Sequence, residues 1–206
     1  MLTIGEPKLE NAIAIVGTRN PSSTVDGLVR RLVKALGEGG YSIITGGAIG
    51  VDSIAIKYAI AYNVPYTIVK PCLTGAEKPP PGGALVSPYQ CKNLSRRYFV
   101  ERDRVIAELA LAIVVPEARS GTAKYACCGT WYTAVKFGVR SGKPAFIFKP
   151  LVNEPGVLEA FGVMVSGGVK PIASVSELFT ELKRLRGGGY EAVQNGNRHY
   201  PEECGD

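Results

Sequence analysis

Residues 41–62 read YSIITGGAIGVDSIAIKYAIAY, and this stretch decides the fold. The run Ser42-Ile43-Ile44-Thr45 is largely β-branched, as expected for a parallel strand buried on both faces. Gly46, Gly47 and Gly50 follow, and a helical pattern opens near Asp52 with Ile54, Ala55, Tyr58, Ala59 and Tyr62 on one face. A strand that enters a helix through glycines is a natural phosphate cradle. Glycine lets the backbone approach a ligand closely, and the helix start offers free amides at a positive dipole end. The stretch is not GxGxxG and lacks the Gly-Lys-Ser/Thr of a P-loop, so neither a standard dinucleotide site nor an NTPase follows. Asp52 reads as the N-terminal cap of the helix. Toward a ligand it would accept from a ribose hydroxyl or orient the loop.

The same unit recurs on either side. Residues 11–19 read as a buried strand ending in a Gly17-Thr18 turn with Arg19 beyond it. Ser22 or Ser23 is expected to cap a helix over 24–36, whose Val25, Leu28, Val29, Leu32, Val33 and Leu36 repeat at helical spacing. Strands are expected at 65–71, 84–87, 111–116 and 144–150, and helices at 93–109 and from Gly129 to about Val139. Beyond Pro150 the expected elements are a helix over 154–161, a short strand at Val163-Met164-Val165 and an amphipathic helix over 174–186. Residues 187–206 hold few aliphatics and are expected to be a poorly ordered tail. Alternating strands and helices specify a single-domain α/β fold, a doubly wound and mostly parallel sheet with helices on both faces, over 1–186. Such sheets bind ligands at the carboxyl ends of their strands. The loops at 17–22, 46–52, 71–83 and 117–129 all fall there.

Charge is 24 Lys and Arg against 18 Asp and Glu in 206 residues, a net +6 that permits a polyanionic partner without demanding one. Residues 92–104 hold five of the basic residues, Lys92, Arg96, Arg97, Arg102 and Arg104, interleaved with Tyr98 and Phe99. Cations with aromatics suit single-stranded nucleic acid, through phosphate contacts and base stacking. The plain alternative is a solvated helix face laced with Glu101 and Asp103. Arg97, Glu101 and Arg104 share a helical face by spacing. Ser120 and Gly121, then Gly129 and Thr130 at a helix start, form a second expected anion site.

Catalytic and metal chemistry find little here. His199, the single histidine, lies in the tail, and five cysteines form no CxxC pair, so no metal site and no catalytic residue are assigned. A disulfide such as Cys72–Cys91 is compatible with a hyperthermophilic source. No cofactor is expected. The first ten residues lack a signal-peptide pattern and the apolar runs are too short to span a bilayer, so a cytoplasmic protein without a membrane association is expected.

Taken together these motifs resemble the DprA/Smf DNA-processing family, within a wider Rossmann-like group that includes the LOG phosphoribohydrolases. The family's Gly-Ser-Arg stands here as Gly17-Thr18-Arg19, and its Ser-Gly-x-Ala-x-Gly-Ile-Asp as residues 45–52. Its Phe-Pro-x-Arg-Asn-Arg stands as residues 99–104, and its Glu-Ala…Ser-Gly…Thr-Ala as Glu117-Ala118, Ser120-Gly121 and Thr133-Ala134. The resemblance implies single-stranded DNA as the partner, with Arg19, Arg102 and Arg104 on phosphates and the Gly46–Gly50 turn contributing amides. Arg97 joins this set from its place on the basic helix. The sequence departs from the family at Asp103, where the family has Asn, and at Ile56, where it has His. The alternative implied is a phosphorylated nucleotide ligand, bound by a sensor, a carrier or a LOG-like hydrolase. Thr133 stands where that hydrolase carries its glutamate, which disfavours hydrolysis. A homodimer is compatible with the tyrosine-bearing helices.

Overall fold

The computed structural model describes residues 1–120 and 128–186. The strands are β1 (Leu2–Ile4), β2 (Ala12–Ile15), β3 (Ser42–Thr45), β4 (Tyr66–Val69), β5 (Gly83–Ser87), β6 (Ala112–Val115), β7 (Ala145–Phe148) and β8 (Lys170–Ile172). They form one sheet in the order β1-β5-β4-β3-β2-β6-β7-β8. Only the edge pair β1–β5 is antiparallel; the other six pairings are parallel. The expected doubly wound α/β fold is therefore present, and its strand order reverses between β2 and β6.

The central strands β2, β3, β4, β6 and β7 are buried at every position, which is why they read as continuous apolar runs. One face is covered by α1 (Val25–Glu38), α2 (Val51–Ala61) and α6 (Val175–Arg186). The other is covered by α3 (Arg96–Leu109), by a turn of helix α4 (Cys128–Trp131) and by α5 (Pro155–Ser166). α4 runs on as a π-helix over Tyr132–Gly138 and a 3₁₀ turn over Val139–Ser141. Leu28, Leu32 and Leu36 of α1 lie at helical spacing and all face the sheet. Burying each such side chain is worth about 1.5–3 kcal/mol.

Several boundaries differ from expectation. Val163, Met164 and Val165 belong to α5, not to a strand; Pro155 starts that helix, and the run continues its pattern through Ala160 and Met164 on the buried side. The last strand is β8, three residues containing Pro171. β1 was not expected; it too has only three residues, none of them buried. Neither Ser22 nor Ser23 caps α1, whose cap position is Thr24 with no side-chain bond. Among the described residues no helix is long and apolar enough to cross a membrane. Residues 187–206 and Gly121 lie outside the described residues.

β4 and β5 are joined by the proline-rich segment rather than by a helix. Cys72, just past β4, forms a disulfide with Cys91, just past β5.

Candidate nucleic-acid interface

The site lies at the carboxyl ends of β2, β3 and β6, where the strand order reverses. Glu117, just after β6, is buried and reaches across to the loop after β2. Its carboxylate accepts from the Ser22 amide at 2.9 Å and from the Ser22 hydroxyl at 2.5 Å. The Thr18 amide donates to the Glu117 carbonyl at 2.9 Å. Gly17 packs into the same joint: a Cβ there would fall 2.7 Å from both the Glu117 carbonyl and Val51. The serine expected to cap α1 is thus the tie across the switch point.

The glycine turn after β3 is held from within. The helix cap is Gly50, in a positive-φ conformation (86°) that favours glycine, and a side chain there would overlap the Thr18 carbonyl. The Val51 amide donates back to that carbonyl at 3.1 Å. Asp52 is the second helical residue rather than the cap, because Gly50 already occupies that position. Its buried carboxylate accepts from the Gly46 amide at 3.2 Å and the Ala48 amide at 3.3 Å. Of its sequence readings, orienting the loop is the one this geometry matches.

Arg102 comes up beneath the turn from α3. It is buried to 7% exposure, and its Nη1 donates to the Gly46 carbonyl at 3.0 Å. Its Nε lies 2.8 Å from an Asp103 carboxylate oxygen, an ion pair whose angle is too bent for a hydrogen bond. Asp103 is thus ion-paired with Arg102, and the buried Asp52 carboxyl feels the same cation without pairing with it. Burial pushes the Asp103 carboxyl up to about 7, with Arg102 opposing and the charge of Asp52 adding to the rise. Burial also raises Asp52, against the pull of Arg102. The sequence pattern placed Arg102 on a charged helix; only the packed structure shows that it points inward.

The remaining candidates separate by location. Arg19 is exposed beside the glycine turn, and Gly47 is exposed within it, next to Ile49 at 71% exposure. Arg97 is exposed at the start of α3, its guanidinium 5.2 Å from the Tyr98 ring centroid. Arg104 is tied into two ion pairs, 2.7 Å from Glu101 and 2.6 Å from Glu108. Ser120 is engaged toward α5: its amide donates to the Gly156 carbonyl at 2.8 Å and its hydroxyl to Glu159 at 2.6 Å. Gly129 is exposed in α4, and Thr130 is buried beside it. The Thr133 hydroxyl donates to the Gly129 carbonyl at 3.0 Å, within its own helix. Among the described residues no cluster of metal-ligating side chains exists. Sequence reasoning missed Ser22 and Glu117 as a joined pair, since nothing in their 95-residue separation signals contact.

Comparison with known proteins places the chain in a family and matches its fold. The family model described as DNA recombination-mediator protein A matches residues 1–135. Protein Smf of a Synechocystis strain is 29% identical over 183 residues, covering 82% of this chain; the chain spans only 44% of that relative's length. The DNA processing protein A of Helicobacter pylori, whose structure concerns its single-stranded DNA binding mode, superposes with a TM-score of 0.70 at 22% identity, covering 88% of this chain and 86% of its own. The molybdenum cofactor carrier protein of Chlamydomonas reinhardtii superposes with a TM-score of 0.54 at 16% identity, covering 88% and 99%.

Proposed function

Because this chain belongs to the DNA recombination-mediator protein A family, we propose that it binds single-stranded DNA along the carboxyl edge of its sheet. Arg19 and Arg97 hold phosphates, and the amides of Gly47 and Gly50, which Asp52 does not use, line the backbone path. Arg102 acts from below, fixing the turn rather than touching DNA. Arg104 is left out because two carboxylates already neutralise it.

The observation that carries this reading is the separation of the exposed cations. Arg19 follows β2 and Arg97 follows β5, three strands away in the sheet order. At about 4.8 Å per strand the two strand axes stand about 14 Å apart. Cations spread along an edge suit a chain of phosphates better than the single phosphate group of a nucleotide. The alternative, a nucleotide carrier or a phosphoribohydrolase, has the support of a shared fold alone.

The test is fluorescence anisotropy of a labelled oligo-dT strand, with AMP and ADP-ribose as competitors. Salt-sensitive binding that neither nucleotide displaces supports the DNA reading. Absence of DNA binding, with thermal stabilisation by either nucleotide, overturns it in favour of the small-ligand alternative.

A further inference from the structure

The paired backbone of β4 and β5 does not stop where the strands end. The Lys70 amide donates to the Val86 carbonyl at 2.8 Å, Leu73 to Tyr89 at 3.0 Å, and Cys91 back to Leu73 at 3.1 Å. The Cys72–Cys91 disulfide closes this extension, with its Cα atoms 5.8 Å apart. Tyr89 sits inside the closed segment. Its ring packs on Tyr98 with centroids 4.6 Å apart and planes tilted by 38°. Arg97, immediately before Tyr98 in the chain, is exposed and lies over the Tyr98 ring.

Neither tyrosine belongs to the hydrophobic core on either face of the sheet. Both are half-buried, and Arg97 is exposed. The pair therefore contributes little to the core, yet it is pinned by backbone bonds and a covalent bridge. Rigid, partly open aromatic rings beside a guanidinium are what an unpaired base stacks on. Their place, past the end of β5 and at the start of α3, puts them on the same edge as Arg19.

We infer that Tyr89, Tyr98 and Arg97 form a base-stacking subsite for single-stranded nucleic acid, held in place by the Cys72–Cys91 disulfide. This rests on the DNA reading above and adds to it the part of the ligand that phosphate contacts ignore. Arg97 serves both, with its charge toward a phosphate and its plane toward the rings. The disulfide acts as a positioning element. A dithiol reductant attacks one sulfur, forms a mixed disulfide and then closes on itself, leaving Cys72 and Cys91 as thiols and the reductant as a cyclic disulfide. The Tyr89 segment then loses its covalent tie and keeps its hydrogen bonds to Leu73 and Ser87 and the ring contact with Tyr98.

The experiment compares an oligo-dT strand with an abasic strand of the same length, at fixed salt. The proteins are wild type, Tyr98→Ala, Tyr89→Ala, Tyr98→Phe and the Cys72→Ser/Cys91→Ser double variant. Both alanine variants and the double serine variant are expected to lose roughly tenfold in affinity for oligo-dT. They keep wild-type affinity for the abasic strand, and Tyr98→Phe keeps both. Dithiothreitol reproduces the loss in wild type and leaves the serine variant unchanged. Alanine variants that retain the full preference for oligo-dT over the abasic strand overturn the subsite. Serine variants and reduced wild type that retain it overturn the role of the disulfide. A wild-type protein that binds neither strand overturns the DNA reading itself, which separates that failure from the others.

Discussion

The Arg102 guanidinium lies directly beneath Gly46, donating to its carbonyl at 3.0 Å. A side chain on Gly46 would overlap that guanidinium, so the glycine is required by what lies under it. The two residues are 56 apart in sequence, and their contact joins the basic helix to the glycine turn. The turn is held from the other side by Asp52, so its shape is fixed before any ligand arrives.

This arrangement separates the buried Arg102 from the exposed Arg19. Arg102→Ala leaves Asp103 buried without its ion-pair partner and takes a nearby cation from Asp52. Removing one partner of a buried ion pair costs about 3–5 kcal/mol. Arg102→Ala is therefore expected to lower the urea midpoint strongly, while Arg19→Ala, at an exposed position, leaves the unfolding free energy within about 0.5 kcal/mol of wild type and the midpoint little changed. Equal midpoints for the two variants would contradict the buried role of Arg102.

Asp103 makes stability depend on pH. Its carboxyl is raised from an ordinary 3.8 to about 7, chiefly by burial. The folded protein then holds more protons than the unfolded chain between those two values. Stability falls as pH rises through that window, by at most about 1.4 kcal/mol per pH unit for this proton, and levels off above it. The raised Asp52 carboxyl acts in the same direction. Asp103→Asn is expected to flatten the decline and to be relatively more stable than wild type at pH 8 than at pH 5. Urea unfolding at the two pH values checks this, and parallel curves for wild type and variant would refute it.

Arg104 presents the opposite case. Its partners Glu101 and Glu108 are themselves partly exposed, at 31% and 54% of their side chains. Exposed pairs of this kind contribute about 0–1 kcal/mol. Arg104→Ala is expected to change the melting temperature slightly and the DNA affinity less than Arg19→Ala does. A larger affinity loss for Arg104→Ala, measured by the same anisotropy titration, would return it to the binding set.

Much of the fold was legible because buried parallel strands announce themselves. Ala12–Ile15 and Ala112–Val115 are unbroken apolar runs, and Ser42–Thr45 is largely β-branched, each followed by turn residues. β1 and β8 were not legible, since three residues carry too little pattern and Pro171 argues against a strand. Val163-Met164-Val165 misled for the converse reason: β-branched residues favour strands, but here helix packing against the sheet decides. At the site, the glycines were readable because their spacing follows a strand. The inward direction of Arg102 was not, because helical spacing gives a face and not what that face packs against. The Ser22–Glu117 bond depends on β2 and β6 being neighbours, a fact of strand order that local sequence does not carry.

The central claim is that exposed cations on the carboxyl edge hold DNA phosphates. The most direct measurement is the slope of log affinity against log salt for oligo-dT, in wild type and in an Arg19→Ala/Arg97→Ala double variant. Each phosphate contact to a single strand contributes about 0.7 to that slope. The account predicts weaker binding and a slope shallower by roughly 1.4 in the double variant, with the melting temperature preserved. An unchanged slope and affinity would contradict it and place the DNA elsewhere on the molecule.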